Sequence, residues 1–158
     1  MKIAAIIPAG GAGIRMGQKI PKPYLSFASA PIVVHTLRVF QESDLIDDIF
    51  LVVQEKDKAY VEEDVIHSYS LNKVRAIIPG GKERQDSIHN ALPFLQSDHE
   101  IVVIHDGVRP LIEQALLERT IDAAIKDGAA IPGVPVKDTV KRVLPSGEVD
   151  MTIDRENL

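Results

Sequence analysis

The sequence has no cysteine, and it also lacks several other features that would indicate particular classes of protein. Without cysteine, disulfides, thiolate zinc sites and iron–sulfur clusters are excluded. No apolar run approaches the roughly 20 residues of a membrane-spanning helix, and the first residues lack the charged head and apolar middle of a signal peptide. The net charge of −5 gives no broad basic surface for a nucleic acid. We therefore expect a soluble cytoplasmic protein with no nucleic-acid or membrane partner.

Two common phosphate-binding motifs are also absent, although the start of the chain is rich in glycine. The apolar run 3–7 leads directly into residues 8–17, PAGGAGIRMG. A P-loop would require Gly-Lys-Ser/Thr at a fixed distance from Gly11 or Gly13, and the chain has none there. The dinucleotide-binding fingerprint would require glycine at position 16, which is Met16. The glycine-rich segment, residues 8–17, therefore needs another interpretation.

The glycine-rich segment predicts a site for a polyphosphate. Glycines let the backbone lie close to a phosphate, and a turn after a buried strand can direct its amides toward an anion. Two cations accompany the turn, Arg15 within it and Lys22 in the segment 21–25, PKPYL. Such fixed cations stabilise charge that develops during a reaction. We predict a catalytic nucleotide site, and the alternative is a tight strand-to-helix turn with a surface arginine.

Strand-like apolar runs alternate with helical patterns, which is typical of an α/β protein with a mostly parallel sheet flanked by helices. Strands are predicted over 2–8, 48–53, 73–78 and 101–105, and helices over 32–42, 57–69, 83–95 and 111–126. Two extended runs around a Pro-Ser-Gly-Glu turn then predict a β-hairpin over 134–153. This hairpin has little apolar content, so it should dock on the domain body or on a second copy of the chain. No repeat or linker interrupts the pattern, so we predict one domain over 1–158.

Polar clusters follow three of the predicted strands, where ligands bind in open α/β sheets. They are the glycine-rich segment, residues 80–87 (GGKERQDS) and residues 105–110 (HDGVRP). Asp106 is suited to hold a divalent cation against phosphate oxygens, or else to cap the turn into the next helix. Arg109 is an alternative partner for Asp106 in a structural salt bridge. Convergence of the three clusters on one crevice is improbable for a purely structural domain.

The second cluster is suited to a nucleotide base. Gly80 and Gly81 allow close approach of a flat ring. Ser87 could hydrogen-bond that ring, or it could satisfy the backbone of its own helix. Arg84 is interpreted as a solvated helix charge. Together the clusters favour nucleotidyl transfer, in which a substrate oxygen attacks the α-phosphorus of a nucleoside triphosphate in line and pyrophosphate leaves.

These segments, with 134–141 (VPVKDTVK) and 152–155 (TIDR), resemble the 2-C-methyl-D-erythritol 4-phosphate cytidylyltransferase family in order over the whole chain. The resemblance implies a Rossmann-like, GT-A-like nucleotidyltransferase fold and a homodimer through the protruding hairpin arm 134–153. It implies transfer of CMP from CTP to a polyol phosphate, 2-C-methyl-D-erythritol 4-phosphate, in non-mevalonate isoprenoid biosynthesis, with Mg²⁺ as cofactor.

The resemblance also implies a role for each matching residue. Arg15 and Lys22 would be catalytic at the α-phosphate, and Asp106 would bind Mg²⁺. The nucleotide site would consist of Ala9, Gly10, Gly11, Gly13, Gly80, Gly81 and Ser87, and the substrate site of Asp106, Arg109, Thr139 and Arg155.

The chain departs from the family pattern in a few places. Pro23 and the pair Gly107-Val108 replace residues that the family usually has there. The family continues beyond the position of Leu158, so we expect the C-terminal part of the family domain to be absent and leave the activity of this chain open. Two alternatives remain: a ribitol-5-phosphate cytidylyltransferase, or a CTP-binding or dimerisation module without turnover.

Overall fold

A parallel four-stranded sheet forms the centre of the protein. The computed structural model describes residues 1–11, 20–156 and 158. The strands are β1 Lys2–Pro8, β2 Ser26–Phe27, β3 Ala30–Pro31, β4 Asp48–Val53, β5 Val74–Pro79, β6 His99–Ile104, β7 Lys141–Val143 and β8 Val149–Thr152. The main sheet has the order β5-β4-β1-β6, while β2 pairs with β3 and β7 with β8, both antiparallel.

Helices cover both faces of the main sheet. They are α1 Ile32–Glu42, α2 Lys58–Tyr60, which continues as a π-helix over Val61–His67, α3 Arg84–Ala91 and α4 Gln114–Asp127. Short 3₁₀ turns occupy Lys22–Tyr24, Glu55–Asp57 and Leu92–Phe94. The predicted α/β fold with a mostly parallel sheet is therefore confirmed.

The central strands have continuous apolar sequences because their residues are buried. Every residue of β4 is buried, and so are the five inner residues of β1. A strand with helices on both faces has no polar side to expose, so apolar residues do not alternate with polar ones. On one face α1, the π-helix and α4 pack on the sheet through residues such as Phe40, Val65 and Ile121. On the other face Ala91 of α3 packs against Phe50 and its neighbours.

The predicted bounds of strands and helices agree closely with the observed ones where the apolar pattern of the sequence is strong. β1, β4 and α1 have the predicted bounds. β5 starts and ends one residue later than predicted, and β6 starts two residues earlier and ends one earlier. The predicted helix 83–95 ends as an α-helix at Ala91 and continues as a 3₁₀ turn containing Pro93, because proline lacks the amide that an α-helix requires. The predicted helix 111–126 starts only at Gln114, because Glu113 is extended.

A buried polar cluster lies at the amino ends of the strands, opposite the end where ligands bind in such sheets. Asp48 of β4 accepts a hydrogen bond from His99 Nε2 of β6 at 3.0 Å and one from Arg75 Nε of β5. His99 Nδ1 in turn accepts a hydrogen bond from the Gln96 amide at 2.9 Å. The His99 side chain is completely buried. The cluster therefore connects three strands by side chains as well as by backbone pairing.

The β7–β8 hairpin is shorter than predicted. Its paired strands cover 141–143 and 149–152, while residues 134–140 form no strand. Pro135 in that stretch has no amide to donate to a ladder. All paired residues are exposed, including Val149 and Met151. The predicted role of this hairpin in dimerisation stays a prediction. Among the described residues, none of the helices is both long and apolar enough to cross a membrane.

Candidate functional site

A cleft of about 590 Å³ opens at the carboxyl ends of β1, β5 and β6. Because the strands are parallel, the segments that follow them meet at one edge of the sheet. The cleft is lined by Pro8, Ala9, Gly10, Gly11, Lys22, Pro23, Gly81, Lys82, Glu83, Arg84, Ser87, Asp106 and Val108. The three polar clusters that the sequence analysis identified therefore contribute to a single cavity.

The glycine-rich segment enters the cleft directly from β1. The Ala9 amide donates to the Val52 carbonyl at 2.7 Å, which extends the sheet by one step. The Gln54 side chain donates from Nε2 to the Gly10 carbonyl at 3.0 Å and so fixes the next peptide. The sequence analysis did not identify Gln54, because its role depends on the adjacency of β1 and β4. Residues Gly13 and Arg15 lie outside the described residues.

Lys22 stands at the rim of the cleft on a 3₁₀ turn. Its neighbour Pro23 is buried, and the ring of Tyr24 packs edge-to-face on Tyr60 with centroids 5.3 Å apart. These contacts anchor the turn, while the Lys22 side chain is exposed and makes no ion pair with a described residue. An exposed ammonium at the rim that has no acidic partner within residues 1–11, 20–156 and 158 is available to an anionic ligand.

The turn between β5 and α3 is closed by Ser87. Its hydroxyl donates to the Glu83 carbonyl at 3.1 Å and accepts from the Gly81 amide at 3.1 Å. A Cβ on Gly81 would lie 2.2 Å from the Cβ of Asp86, so only glycine fits there. Gly80 donates its amide to the Val53 carbonyl at 2.7 Å. Ser87 lines the cleft, but its hydroxyl satisfies backbone groups, as the alternative interpretation of this residue predicted.

Asp106 lies between two arginines. Arg84 Nε donates to Asp106 Oδ1 at 2.9 Å, and Arg109 Nε forms a salt bridge with Asp106 Oδ2 at 3.0 Å. Arg84 is 57% exposed, as expected of a solvated helix charge, but its guanidinium is also paired with Asp106 across 22 positions of sequence. Arg109 makes a salt bridge with Asp106, which was the alternative role predicted for it. Arg109 does not line the cleft.

The Asp106 loop is held against the glycine-rich segment. The Gly107 amide donates to the Pro8 carbonyl at 3.0 Å, and Thr36 Oγ1 of α1 donates to the Gly107 carbonyl at 3.0 Å. A Cβ on Gly107 would lie 2.8 Å from the Cβ of Ala9. His105 packs its ring on Phe40, and burial lowers the pKa of the imidazole. The sequence analysis missed Thr36, which is buried in the middle of a helix.

Among the described residues, the carboxylates that line the cleft are Glu83 and Asp106, and Asp106 is the one predicted to hold a divalent cation. Within the described ranges, no group of three or more histidine or acidic side chains is arranged to hold a metal ion. Mg²⁺ commonly takes one or two carboxylates and completes its shell with substrate phosphates and water. The donor set therefore fits a cation that arrives with a nucleoside triphosphate, provided that one arginine releases an oxygen of Asp106.

The remaining predicted substrate residues belong to the hairpin region. Thr139 and Arg155 are both exposed, and neither lines the cleft. Arg155 Nη1 donates to the carbonyl of Lys137. Within the described part of one chain these two residues stay apart from Lys22 and Asp106, so their role in binding substrate remains a prediction.

Comparison with known proteins decides the family. The family model described as 2-C-methyl-D-erythritol 4-phosphate cytidylyltransferase matches residues 3–158. The chain belongs to this family. The prediction of this family and of a nucleotidyltransferase is therefore confirmed, and cytidylyl transfer to 2-C-methyl-D-erythritol 4-phosphate is confirmed at the level of the family.

Individual relatives support the assignment of the chain to this cytidylyltransferase family. The enzyme of this name from Syntrophus aciditrophicus is 47% identical over 157 residues, which cover 99% of this chain and 67% of that protein. The one from Geotalea uraniireducens is 42% identical over 160 residues, covering 100% and 68%. The crystal structure of 4-diphosphocytidyl-2C-methyl-D-erythritol synthase from Anaerococcus prevotii superposes with a TM-score of 0.84 at 32% identity, covering 99% and 65%. The chain thus spans about two thirds of the length of these relatives.

Proposed function

We propose that the protein transfers the cytidylyl group of CTP to 2-C-methyl-D-erythritol 4-phosphate and releases pyrophosphate. The observation that carries the proposal is the cleft itself, which brings the start of the glycine-rich segment, Lys22 and Asp106 together at the carboxyl edge of the sheet. Family membership supplies the identity of the two substrates.

Some residues around the cleft bind the nucleotide, and others stabilise the negative charge that develops during the reaction. The backbone of the glycine-rich segment and of the Gly81 turn cradles the nucleotide, because glycine allows close approach of the ligand. Lys22, with Arg15, stabilises the negative charge that builds up on the α-phosphate while the polyol phosphate oxygen attacks and pyrophosphate leaves in line. Holding both reactants in this geometry supplies much of the remaining rate enhancement. No protein nucleophile takes part.

Mg²⁺ belongs to the same proposal. Asp106 would hold the ion, which neutralises phosphate charge when it is bound. Asp106 needs an unoccupied oxygen for this role, and in the structure each of its oxygens is paired with an arginine. Arg109 pairs with the other oxygen of Asp106, and its exposed side chain would contact the second substrate.

The second substrate and the assembly are also proposed. Thr139 and Arg155 would bind the methylerythritol phosphate partly from the partner in a homodimer, formed through the hairpin arm. The exposed apolar residues of that arm, Val143, Val149 and Met151, support such an interface because they have little core of their own. The enzyme would work in the cytoplasm.

Pyrophosphate release tests the proposal. The assay uses the four nucleoside triphosphates combined with a panel of polyol phosphates that includes methylerythritol phosphate and ribitol phosphate. We expect release with CTP and methylerythritol phosphate above every other combination. Preference for ribitol phosphate would support the alternative transferase. CTP binding by calorimetry without any pyrophosphate release would indicate a binding module and reject the proposed function for this chain.

A further inference from the structure

We propose that Arg84 is a positioning residue that holds Asp106 in the nucleotide-free protein and exchanges this carboxylate for the triphosphate when CTP binds. The proposal rests on the proposed function, because it assumes that the cleft takes a nucleoside triphosphate. It adds a role for a residue that the resemblance did not assign.

The two arginines that bind Asp106 are not equivalent. Arg109 is three residues away in the same turn, and its amide also donates to the Asp106 carbonyl at 3.1 Å. Arg84 comes from another element, as the first residue of α3, and uses both Nε and Nη2 on the single oxygen Oδ1, each at 2.9 Å. Arg109 is therefore a local support, whereas Arg84 joins two separate segments of the cleft.

Arg84 is also the arginine of this pair that a ligand in the cleft can reach. It lines the cleft and Arg109 does not. Its side chain is 57% exposed, so it can turn toward a ligand without leaving a packed position. A guanidinium binds phosphate with the same fork geometry as a carboxylate, and a triphosphate offers more negative charge. Arrival of CTP therefore favours transfer of Arg84 from the carboxylate to the phosphates.

The exchange couples the nucleotide to the metal ion. While Arg84 stays on Oδ1, both oxygens of Asp106 are engaged and a divalent cation has to compete with a guanidinium. Once the triphosphate takes Arg84, Oδ1 is free to accept the cation that accompanies the phosphates. By linkage, each ligand then strengthens the binding of the other. Early binding of a lone divalent ion to Asp106 is disfavoured.

Direct metal binding provides the test. Free Mn²⁺ is measured by electron paramagnetic resonance on the full chain, without and with CTP, in the wild type, Arg84→Gln and Lys82→Gln. Lys82 is the matched control, because it also lines the cleft and its loss changes the net charge equally, yet it makes no ion pair with Asp106. We expect Arg84→Gln to strengthen Mn²⁺ binding without CTP about tenfold. CTP binding without metal should weaken by a similar factor.

Further variants make the outcome decisive. Adding Asp106→Asn to Arg84→Gln should abolish the gain in Mn²⁺ affinity. Arg84→Lys keeps the positive charge but not the pair of nitrogens that contacts Oδ1, so it should give an intermediate Mn²⁺ affinity. This variant serves as the test if Arg84→Gln does not fold. Equal Mn²⁺ affinities in the Arg84→Gln and Lys82→Gln variants would overturn the proposal. These readouts need no turnover, so a failed pyrophosphate assay alone would reject the proposed function and leave the role of Arg84 standing.

Discussion

Thr36 donates a hydrogen bond from its fully buried side chain to the carbonyl of Gly107, 71 positions later in the sequence. The bond connects the middle of α1 with the loop that carries Asp106. That loop is also bonded to the end of β1 through the Gly107 amide. A hydroxyl in the core therefore helps to position a carboxylate in the cleft.

We expect Thr36→Val to destabilise the protein by about 1–3 kcal/mol, because it leaves the Gly107 carbonyl without its side-chain donor. Urea unfolding measures this change. Thr36→Ser is the control, because it keeps the hydroxyl and loses only a methyl group. It should therefore retain CTP affinity better than the Thr36→Val variant does. Equal CTP affinities in the two variants would contradict a role for the hydrogen bond in the cleft.

Gly81→Ala should weaken CTP binding strongly. Its Cβ would collide with Asp86 at 2.2 Å, so the turn that Ser87 closes would have to open. Calorimetric titration with CTP is the measurement. Gly133→Ala provides the comparison, because a Cβ there meets no atom within 4 Å. If both variants bound CTP like the wild type, the Gly81 turn would not form part of the nucleotide site.

Lys22→Ala should lower kcat by about 10²–10³ while CTP binding changes much less, because a cation that stabilises the transition state contributes most when charge develops. The same result is expected for Arg15→Ala. Steady-state kinetics of pyrophosphate release and CTP titrations give the two quantities. Lys56→Ala, an exposed lysine outside the cleft, is the control. A loss of CTP affinity with kcat intact would assign Lys22 to ground-state binding.

Asp48 should make the stability of the protein depend on pH in the acid range. Burial alone would raise the pKa of its carboxyl, but hydrogen bonds and charges from Arg75 and His99 outweigh burial and hold the pKa below its usual value. A carboxyl with a lowered folded-state pKa contributes stability above its unfolded pKa of about 3.9, and this contribution disappears as the pH falls through the folded-state pKa.

Asp48→Asn should therefore be less stable than the wild type at pH 7, and the difference should narrow once the pH falls below about 4. Urea unfolding across that range is the measurement. Asp122→Asn changes the same charge at an exposed position on α4 and should leave the pH dependence unaltered. A stability difference between Asp48→Asn and the wild type that stays constant with pH would mean that the ion pairs do not set the pKa.

Much of the fold could be predicted because the local apolar pattern of the sequence matches the residues that are buried in the structure. The continuous apolar runs of β1 and β4 and the helical periodicity of α1 specify both the type and the bounds of these elements. The position of Asp106 at the carboxyl edge of the sheet follows from the parallel strands, since it comes shortly after β6. The partners of Arg84, Thr36 and Gln54 could not be predicted in the same way, because each contacts a residue of another segment, and only the packed fold brings those segments together.

The contact between Ala9 and Gly107 restricts how this cleft can be enlarged. A single added methyl on Gly107 would come within 2.8 Å of the Ala9 Cβ and 3.3 Å of Ile7 and the Pro8 carbonyl oxygen, so position 107 accepts a side chain only if these neighbours shift. Engineering of the cleft is therefore better directed at Lys82, which lines the cleft and is exposed. Replacing Gly107 by any residue with a Cβ should therefore destabilise the loop that carries Asp106.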